Sequence, residues 1–192
     1  MNIIDPERIR LRARLLVALN ESEPLARAID LMTTALAAGG KVLAFGNGGS
    51  ATQSSHFAAE LVNKFYFRRP ALPALALASD MAVLTSIAND EEFRAVFSRQ
   101  VEAYGRRGDV ALGITTSGAS ANVLLALARA REMGMATVAL AGSRLRELQA
   151  IPVDVLVAID ADDTPAIQEM HLFALHAMAE AVEKKLCGGN NG

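Results

Sequence analysis

The stretch KVLAFGNGGSATQSSHFAAELVNKF, residues 41–65, contains three segments of different character. Residues 41–45 are a short apolar run, residues 46–50 form a loop with three glycines, and apolar residues recur at helical spacing over 51–65. A short apolar run bounded by glycines is typical of a buried strand, and glycines allow the chain to turn directly into a helix. The stretch therefore predicts a strand, a glycine loop and a helix, which is the repeating unit of α/β proteins.

Similar apolar runs recur further along the chain, with helical stretches between them. They lie at residues 72–78, 110–115, 136–141 and 153–159. Five strands that alternate with helices predict a parallel sheet covered on both faces, a three-layer α/β sandwich. Two helices, separated near residues 20–24, precede the first strand, and a long helix over about 164–186 ends the fold.

Length and composition restrict the class of protein. The 192 residues suit a single domain, and 52% apolar residues are enough for a sizeable core. We expect N-terminal helices over 1–40, an α/β core over 41–186 and a flexible tail over 187–192. The 19 basic and 21 acidic residues give a formal net charge of −2, so nucleic acid is not an expected partner.

The single cysteine, Cys187, cannot form an internal disulfide, which suits the reducing cytoplasm. No segment has the pattern of a signal peptide or of a membrane span. The sequence therefore predicts a cytoplasmic protein that does not enter the membrane.

Two strand exits carry residues that suit a ligand. In open α/β sheets, ligands bind beyond the carboxyl ends of the strands. The glycine loop 46–50 allows close approach to the backbone and is followed by free N–H groups of a helix, which favour an anion. The second exit, TTSGAS at residues 115–120, places four hydroxyls around a glycine before a helix over 121–133. One hydroxyl is explained by an N-cap, but four favour binding of a phosphate monoester.

The glycine loop also matches a dinucleotide fingerprint, G-x-G-x-x-A over residues 46–51. The acidic residue expected about 20 positions later is absent, because Asp80 lies further away. No G-K-[ST] follows the loop, which excludes a P-loop nucleotide site. Dinucleotide binding is therefore the weaker alternative.

Polar residues on two helices are candidates for catalysis or metal binding. His56 and Glu60 lie four residues apart, about 40° apart around the helix, and can act at one point. Gln168, His171 and His176 interrupt the apolar sequence of the last helix. The two histidines fall on opposite sides of Gln168, so spacing does not choose between them. Two histidines with a carboxylate can bind zinc, but the spacing differs from that of H-E-x-x-H and is a weak indication.

Four longer segments occur in the order found in one known family. They are GNGGSATQSSHFAAEL (46–61), SIANDEEFRAVFSRQVEAYGRRGDV (86–110), GITTSGASANV (113–123) and IQEMHLFALH (167–176). Over residues 40–185 the chain resembles the phosphoheptose isomerases of the sugar isomerase (SIS) domain family. The resemblance implies a flavodoxin-like SIS fold and an aldose-ketose isomerase that converts D-sedoheptulose 7-phosphate to D-glycero-D-manno-heptose 7-phosphate. That reaction is the first step towards the heptose of bacterial surface polysaccharide, such as lipopolysaccharide.

The same resemblance implies a homotetramer with sites shared between subunits, a zinc ion in each subunit, and roles for individual residues. The zinc ligands would be His56, Glu60, Gln168 and His176, so that His176 is preferred to His171. Glu60 and His176 would also be the catalytic pair that moves protons through an enediol, with the carbon proton assigned to neither. The residues around the substrate would be Asn47, Gly48, Gly49, Ser50, Glu60, Asn89, Asp90, Thr115, Thr116, Ser117, Ser120 and Gln168.

Three positions depart from the usual pattern of the family. Thr115 replaces Ser and Ala119 replaces Asn, without loss of a hydroxyl, and Ala166 removes a charge where Arg often precedes IQE. Two alternatives to this isomerase remain: a non-catalytic SIS protein that binds the bacterial replication initiator, and an isomerase of another sugar phosphate. The initiator-binding relatives lack counterparts of Glu60 and His176, both of which this chain has. The spacing of the H-x-x-x-E pair and of the Gln and His on the last helix argues against the other SIS isomerases.

Overall fold

A parallel sheet forms the centre of the molecule, for which the computed structural model describes residues 3–188. Its strands are β1 (Val42–Gly46), β2 (Ala74–Ala76), β3 (Val110–Thr115), β4 (Ala136–Ala141) and β5 (Val155–Ala158). They lie in the order β2-β1-β3-β4-β5, and every neighbouring pair is parallel. The central strands β1, β3 and β4 are almost completely buried, as expected for a parallel sheet with helices on both faces.

Eight α-helices in the described residues connect and flank the strands. They are α1 (Pro6–Asn20), α2 (Glu23–Ala37), α3 (Gly49–Val62), α4 (Met81–Asp90), α5 (Ser98–Tyr104), α6 (Ala121–Glu132), α7 (Arg146–Gln149) and α8 (Thr164–Cys187), with a 3₁₀ turn at Phe93–Ala95. Local sequence explains where α1, α2 and α8 begin, because Asp5, Ser22 and Asp163 each accept a hydrogen bond from a backbone N–H of the first turn. Between residues 3 and 188, no helix combines the length and apolar character needed to cross a membrane.

The two faces of the sheet have separate cores. On one face, α1, α2, α3 and α8 pack around side chains such as Met32 and Phe57. On the other, α4 to α7 pack around Phe97 and Leu127. Because all strands point the same way, the loops after β1 and β3 and the start of α8 after β5 emerge at one end of the sheet.

The α/β sandwich predicted from the sequence is confirmed, with differences at the ends of elements. The strand expected at 72–78 shortens to Ala74–Ala76, at the edge of the sheet. The first core helix ends at Val62 instead of residue 65, because Asn63 leaves the helical conformation. Cys187, assigned to the tail, is the last residue of α8. The remainder of the predicted tail, residues 189–192, lies outside the described residues.

Candidate active site

Helices α3 and α8 lie side by side and run in the same direction. Near their amino ends, a Cβ on Gly49 would lie 2.6 Å from Gln168 Nε2, so only glycine lets the Gln168 amide approach α3 here. One turn further along α3, Gln53 Nε2 donates to the Gln168 carbonyl at 2.7 Å. Further along both helices, His56 of α3 meets His176 of α8. The polar side chains of the two helices therefore face each other along one line.

Two imidazoles and a carboxylate converge on this line. His56 Nε2 and His176 Nε2 are 2.8 Å apart, and Glu60 Oε1 lies 3.5 Å from His56 Nε2. The two nitrogens lie within hydrogen-bond distance, and the tautomers of the rings decide which of them donates. The His56 and Glu60 side chains are 43% and 23% exposed, so a ligand can reach them. The Phe65 ring lies 5.6 Å from the His176 ring and forms an apolar wall.

The loop between β3 and α6 gathers the hydroxyl groups. Thr115 Oγ1 lies 2.9 Å from Ser120 Oγ and 3.4 Å from Ser117 Oγ. Ser120 is the N-cap residue of α6, but its side chain accepts no hydrogen bond from the first turn of that helix. Thr116 and Ser117 line a cavity of about 180 Å³. Ser117 Oγ also accepts the Ala119 N–H at 3.2 Å. A cluster of hydroxyls beside the free N–H groups of a helix start suits an anion such as a phosphate.

An amide pair links the glycine loop to this hydroxyl loop. Asn47 Nδ2 donates to Asn122 Oδ1 at 2.9 Å, and Asn122 Nδ2 donates to Asn47 Oδ1 at 2.8 Å. Asn122 is buried on α6, so it ties the exit of β1 to the exit of β3. In the glycine loop, Gly48 and Gly49 are exposed whereas Ser50 is buried. The loop therefore offers a ligand its backbone more than the Ser50 side chain.

Asn89 and Asp90 lie on α4, which packs on the opposite face of the sheet from α3 and α8. Both are exposed at the end of α4, on the other face of the sheet, and Asn89 Nδ2 donates to Asp90 Oδ1 at 2.8 Å. Within residues 3–188, no hydrogen bond or ion pair joins either side chain to Glu60 or His176. The site role expected for Asn89 and Asp90 therefore stays a prediction.

The structure separates the two histidines of α8. His171 is fully buried, and within the described chain neither ring nitrogen makes a hydrogen bond of normal geometry. Burial lowers the pKa of His171 to about 4, although the nearby Ala141 carbonyl opposes the shift. At neutral pH His171 is an uncharged core residue, and His176 is the histidine that faces α3.

The side chains that could bind zinc have suitable donor atoms, but their spacing differs from that of a zinc site. Across residues 3–188, no group of three or more His, Cys, Asp or Glu side chains has the arrangement of a metal site. Tetrahedral zinc with bonds of about 2.0–2.1 Å would hold two nitrogens about 3.3 Å apart, and the imidazole nitrogens here are 2.8 Å apart. Moving the two imidazole nitrogens about 0.5 Å further apart would give the separation that zinc requires. His56, Glu60 and His176 carry the nitrogen and oxygen donors that zinc accepts, so the residues fit the ion in chemistry.

Sequence reasoning missed four residues that shape the site: Gln53, Arg69, Asn122 and Glu183. Asn122 left a signal, a polar side chain in the first turn of a helix directly after the hydroxyl loop. Arg69 and Glu183 are 114 residues apart in sequence and form an ion pair. No local pattern indicates such a pair, and Glu183, followed by two lysines, resembles a surface charge.

Comparison with known proteins agrees with this architecture. The model of the SIS domain family matches residues 10–142. The phosphoheptose isomerase of Azoarcus sp. (strain BH72) is 49% identical, with 86% of this chain and 85% of the relative covered. That of Alkalilimnicola ehrlichii is 46% identical, with 95% and 93% covered. The structure of phosphoheptose isomerase from Neisseria gonorrhoeae is 42% identical and superimposes with a TM-score of 0.85 over 93% of this chain and 94% of that one. The chain therefore belongs to the SIS domain family, among its phosphoheptose isomerases.

Proposed function

We propose that this chain converts D-sedoheptulose 7-phosphate to D-glycero-D-manno-heptose 7-phosphate. The observation that carries the proposal is the meeting of Glu60, His56 and His176 between α3 and α8. The relatives named phosphoheptose isomerase, at 46% and 49% identity, support the choice of substrate. The single cysteine supports a cytoplasmic location, and the product would serve as a precursor of bacterial surface heptose.

The reaction moves one proton between two carbons and one between two oxygens. A base removes a proton from C1 of the ketose while O2 gains a proton, which gives an enediol. O1 then loses its proton while C2 gains one, which gives the aldose without net change in atoms or electrons. Glu60 and His176 are suited to share these transfers, because a carboxylate and an imidazole can both be tuned towards neutral pH in a partly dehydrated pocket.

The hydroxyl loop would hold the phosphate. The hydroxyls of Ser117 and Ser120 both lie within 3.4 Å of Thr115 Oγ1, just before α6. Their hydroxyls and the first N–H groups of the helix can donate to phosphate oxygens. Asn47, which is paired with Asn122, would fix the glycine loop against the sugar end of the substrate.

We also propose that His56, Glu60, His176 and Gln168 bind zinc. When bound, the ion would stabilise negative charge on the oxygens of the enediol. The test is metal content after dialysis, measured by atomic emission, in the wild type and in His56→Ala. We expect about one zinc per chain in the wild type and a large loss in the variant. Equal zinc in both proteins would place the ion elsewhere.

A homotetramer with sites between subunits would bring in Asn89 and Asp90. Two surfaces support association with further copies of this chain. Phe173, 39% exposed, lies in an apolar groove of about 360 Å³ between α2 and α8, and α4 carries Met81 at 71% exposure. Light scattering should show a tetramer that Phe173→Glu dissociates and Leu125→Glu, on α6, leaves intact. A monomeric wild type at micromolar concentration would reject the shared site.

The activity is tested by proton NMR of sedoheptulose 7-phosphate in D₂O with the purified, zinc-loaded protein. We expect an aldose anomeric signal and deuterium at C2 of the product, because the carbon-bound proton passes through an exchangeable base. Glu60→Gln, folded by circular dichroism, is the control that should show neither. Neither conversion nor exchange with folded wild type would reject this substrate and favour another sugar phosphate or a binding role.

A further inference from the structure

A buried ion pair contacts the backbone of Glu60, one of the proposed catalytic residues. Arg69 follows α3, Glu183 lies on α8, and their side chains are 1% and 0% exposed. Arg69 Nε donates to Glu183 Oε1 at 3.0 Å, while Nη2 donates to the Glu60 carbonyl at 2.8 Å and Nη1 to the Leu61 carbonyl at 2.7 Å. One guanidinium therefore joins α8 to the backbone of the residue whose carboxylate faces His56.

Glu183 also fixes the segment that follows α3. Its Oε1 accepts the Phe65 N–H at 2.8 Å, and its Oε2 accepts the N–H groups of Tyr66 and Phe67 at 2.7 and 3.4 Å. Burial alone would raise the pKa of Glu183, but these N–H donors and the Arg69 charge outweigh it and hold the pKa below its usual value. The carboxylate is charged at neutral pH, so the whole network consists of charge-assisted hydrogen bonds.

The network reaches both helices close to their reactive side chains. Glu60 lies in the last turn of α3, where carbonyls have no partner within the helix, and Arg69 satisfies two of those carbonyls. On α8, Glu183 follows His176 by seven residues, which places it about 20° away around the helix and about 10 Å along it. The ion pair thus joins the end of α3 to α8 near the helix face that carries His176.

We propose that Arg69 and Glu183 are positioning residues, which hold Glu60 and His176 at the separation that lets both act on one substrate. The inference rests on the proposed isomerase function. A buried ion pair often contributes no more stability than well-packed apolar residues of similar volume, so stability alone does not explain its presence. Fixed geometry does explain it, because a displacement of about 1 Å at a reacting group can lower turnover about a hundredfold.

The first test is Arg69→Lys, which keeps the charge but loses the planar fork that reaches Glu183 and both carbonyls. We expect kcat to fall about tenfold or more, with KM for sedoheptulose 7-phosphate within about twofold, because the hydroxyl loop lies on other elements. Lys41→Arg is the matched control, since Lys41 pairs with Asp109, and no hydrogen bond or ion pair within residues 3–188 joins either of them to Arg69 or Glu183. It should leave both constants within about twofold.

The second test does not depend on activity. The chain has 3 histidines, so their imidazole nitrogens can be assigned by ¹⁵N NMR. In Arg69→Lys we expect the His56 and His176 signals to shift and the His171 signals to stay, whereas Lys41→Arg should move none. Should Arg69→Lys not fold, Glu183→Asp, which keeps the charge on a shorter side chain, gives the same readouts.

The two tests separate the outcomes. Wild-type kcat together with unchanged imidazole signals in Arg69→Lys would overturn the positioning role. Shifted signals in a protein whose wild type converts no substrate would support the structural link between the ion pair and the imidazoles, and would reject the isomerase function on which the inference rests.

Discussion

The amino end of the sheet and the candidate site differ in how their polar groups are satisfied. At the amino end, Asp109 accepts the backbone N–H groups of Lys41 and Arg106 at 2.9 and 2.8 Å, and the Lys41 ammonium completes the cluster. Asp154 likewise accepts the N–H and the hydroxyl of Thr137 at 2.8 and 2.9 Å. These carboxylates therefore use their hydrogen bonds to stabilise the fold.

In the candidate site, side chains of the same polarity bond to one another. The hydroxyls of Thr115 and Ser120 pair, and His56 pairs with His176, and within residues 3–188 these side chains have no backbone partner that would hold them. Such groups can exchange their contacts for a ligand at little cost, because the bonds lost are replaced by bonds of similar strength. The comparison indicates that polar side chains without backbone partners belong to the candidate site. Polar side chains that hydrogen-bond to the backbone stabilise the fold instead.

The largest expected effect comes from removing the paired acid and base. Glu60→Gln and His176→Asn should each lower kcat at least about a hundredfold, the usual size of a lost general acid-base contribution. Asp109→Asn, which changes a saturated carboxylate at the amino end, should lower thermal stability and leave kcat near the wild-type value. Near-normal turnover in Glu60→Gln or His176→Asn would remove that residue from the mechanism.

The next largest effect is expected at His171, a buried polar residue that belongs neither to the clusters at the amino end nor to the candidate site. Its folded pKa of about 4 lies below the ordinary value, so between these values the unfolded chain binds a proton that the folded chain does not. Stability should therefore be complete above about pH 6.5 and fall as the pH decreases towards 4, by up to about 3 kcal/mol.

His171→Leu should flatten this part of the curve of Tm against pH, because it removes the titrating group from a buried position. Met170→Leu, a conservative change at a buried neighbour, should retain the slope. The measurement is differential scanning calorimetry between pH 4 and 7. A slope that is the same in His171→Leu and in the wild type would show that another group titrates.

A smaller effect is expected at the hydroxyl loop. Ser117→Ala combined with Ser120→Ala should raise KM about tenfold or more with a smaller change in kcat, because the phosphate takes no part in the proton transfers. Thr33→Ala, which deletes a hydroxyl that donates to the Ile29 carbonyl on α2, is the control and should leave KM unchanged. An unchanged KM in the double variant would place the phosphate at another part of the molecule.

The same contrast explains how much could be predicted from the sequence. Apolar strands such as 110–115 were found at their observed bounds, because burial on both faces leaves a continuous apolar run. The two loops were found because glycines and clustered hydroxyls are local features. His171 and His176 could not be separated, since ideal helix geometry says which side a residue faces but not what lies there. The Arg69–Glu183 pair depends on the packing of α3 against α8, which no local pattern encodes.

The smallest effect is expected at Asp154, on the saturated end of the sheet. Burial would raise the pKa of Asp154, but its hydrogen bonds with Thr137 and its pairing with Arg131 outweigh this and lower the pKa. A carboxylate with a lowered folded pKa adds stability above its unfolded pKa, and that stability is lost as the pH falls below about 4. Asp154→Asn can keep the bonds to Thr137 through its oxygen but loses the Arg131 partner.

Because the Asp154 side chain is 37% exposed, solvent screens this pairing, and we expect Tm at pH 7 to fall by only about 2–4 °C. The difference from wild type should shrink as the pH is lowered towards 3, because the wild-type carboxylate then becomes protonated and also loses its attraction to Arg131. The kinetic constants should not change. A large loss of kcat in this variant, with the fold intact, would contradict the division between supporting clusters at the amino end and reactive groups in the candidate site, since a carboxylate bonded to Thr137 and Arg131 would then control the chemistry.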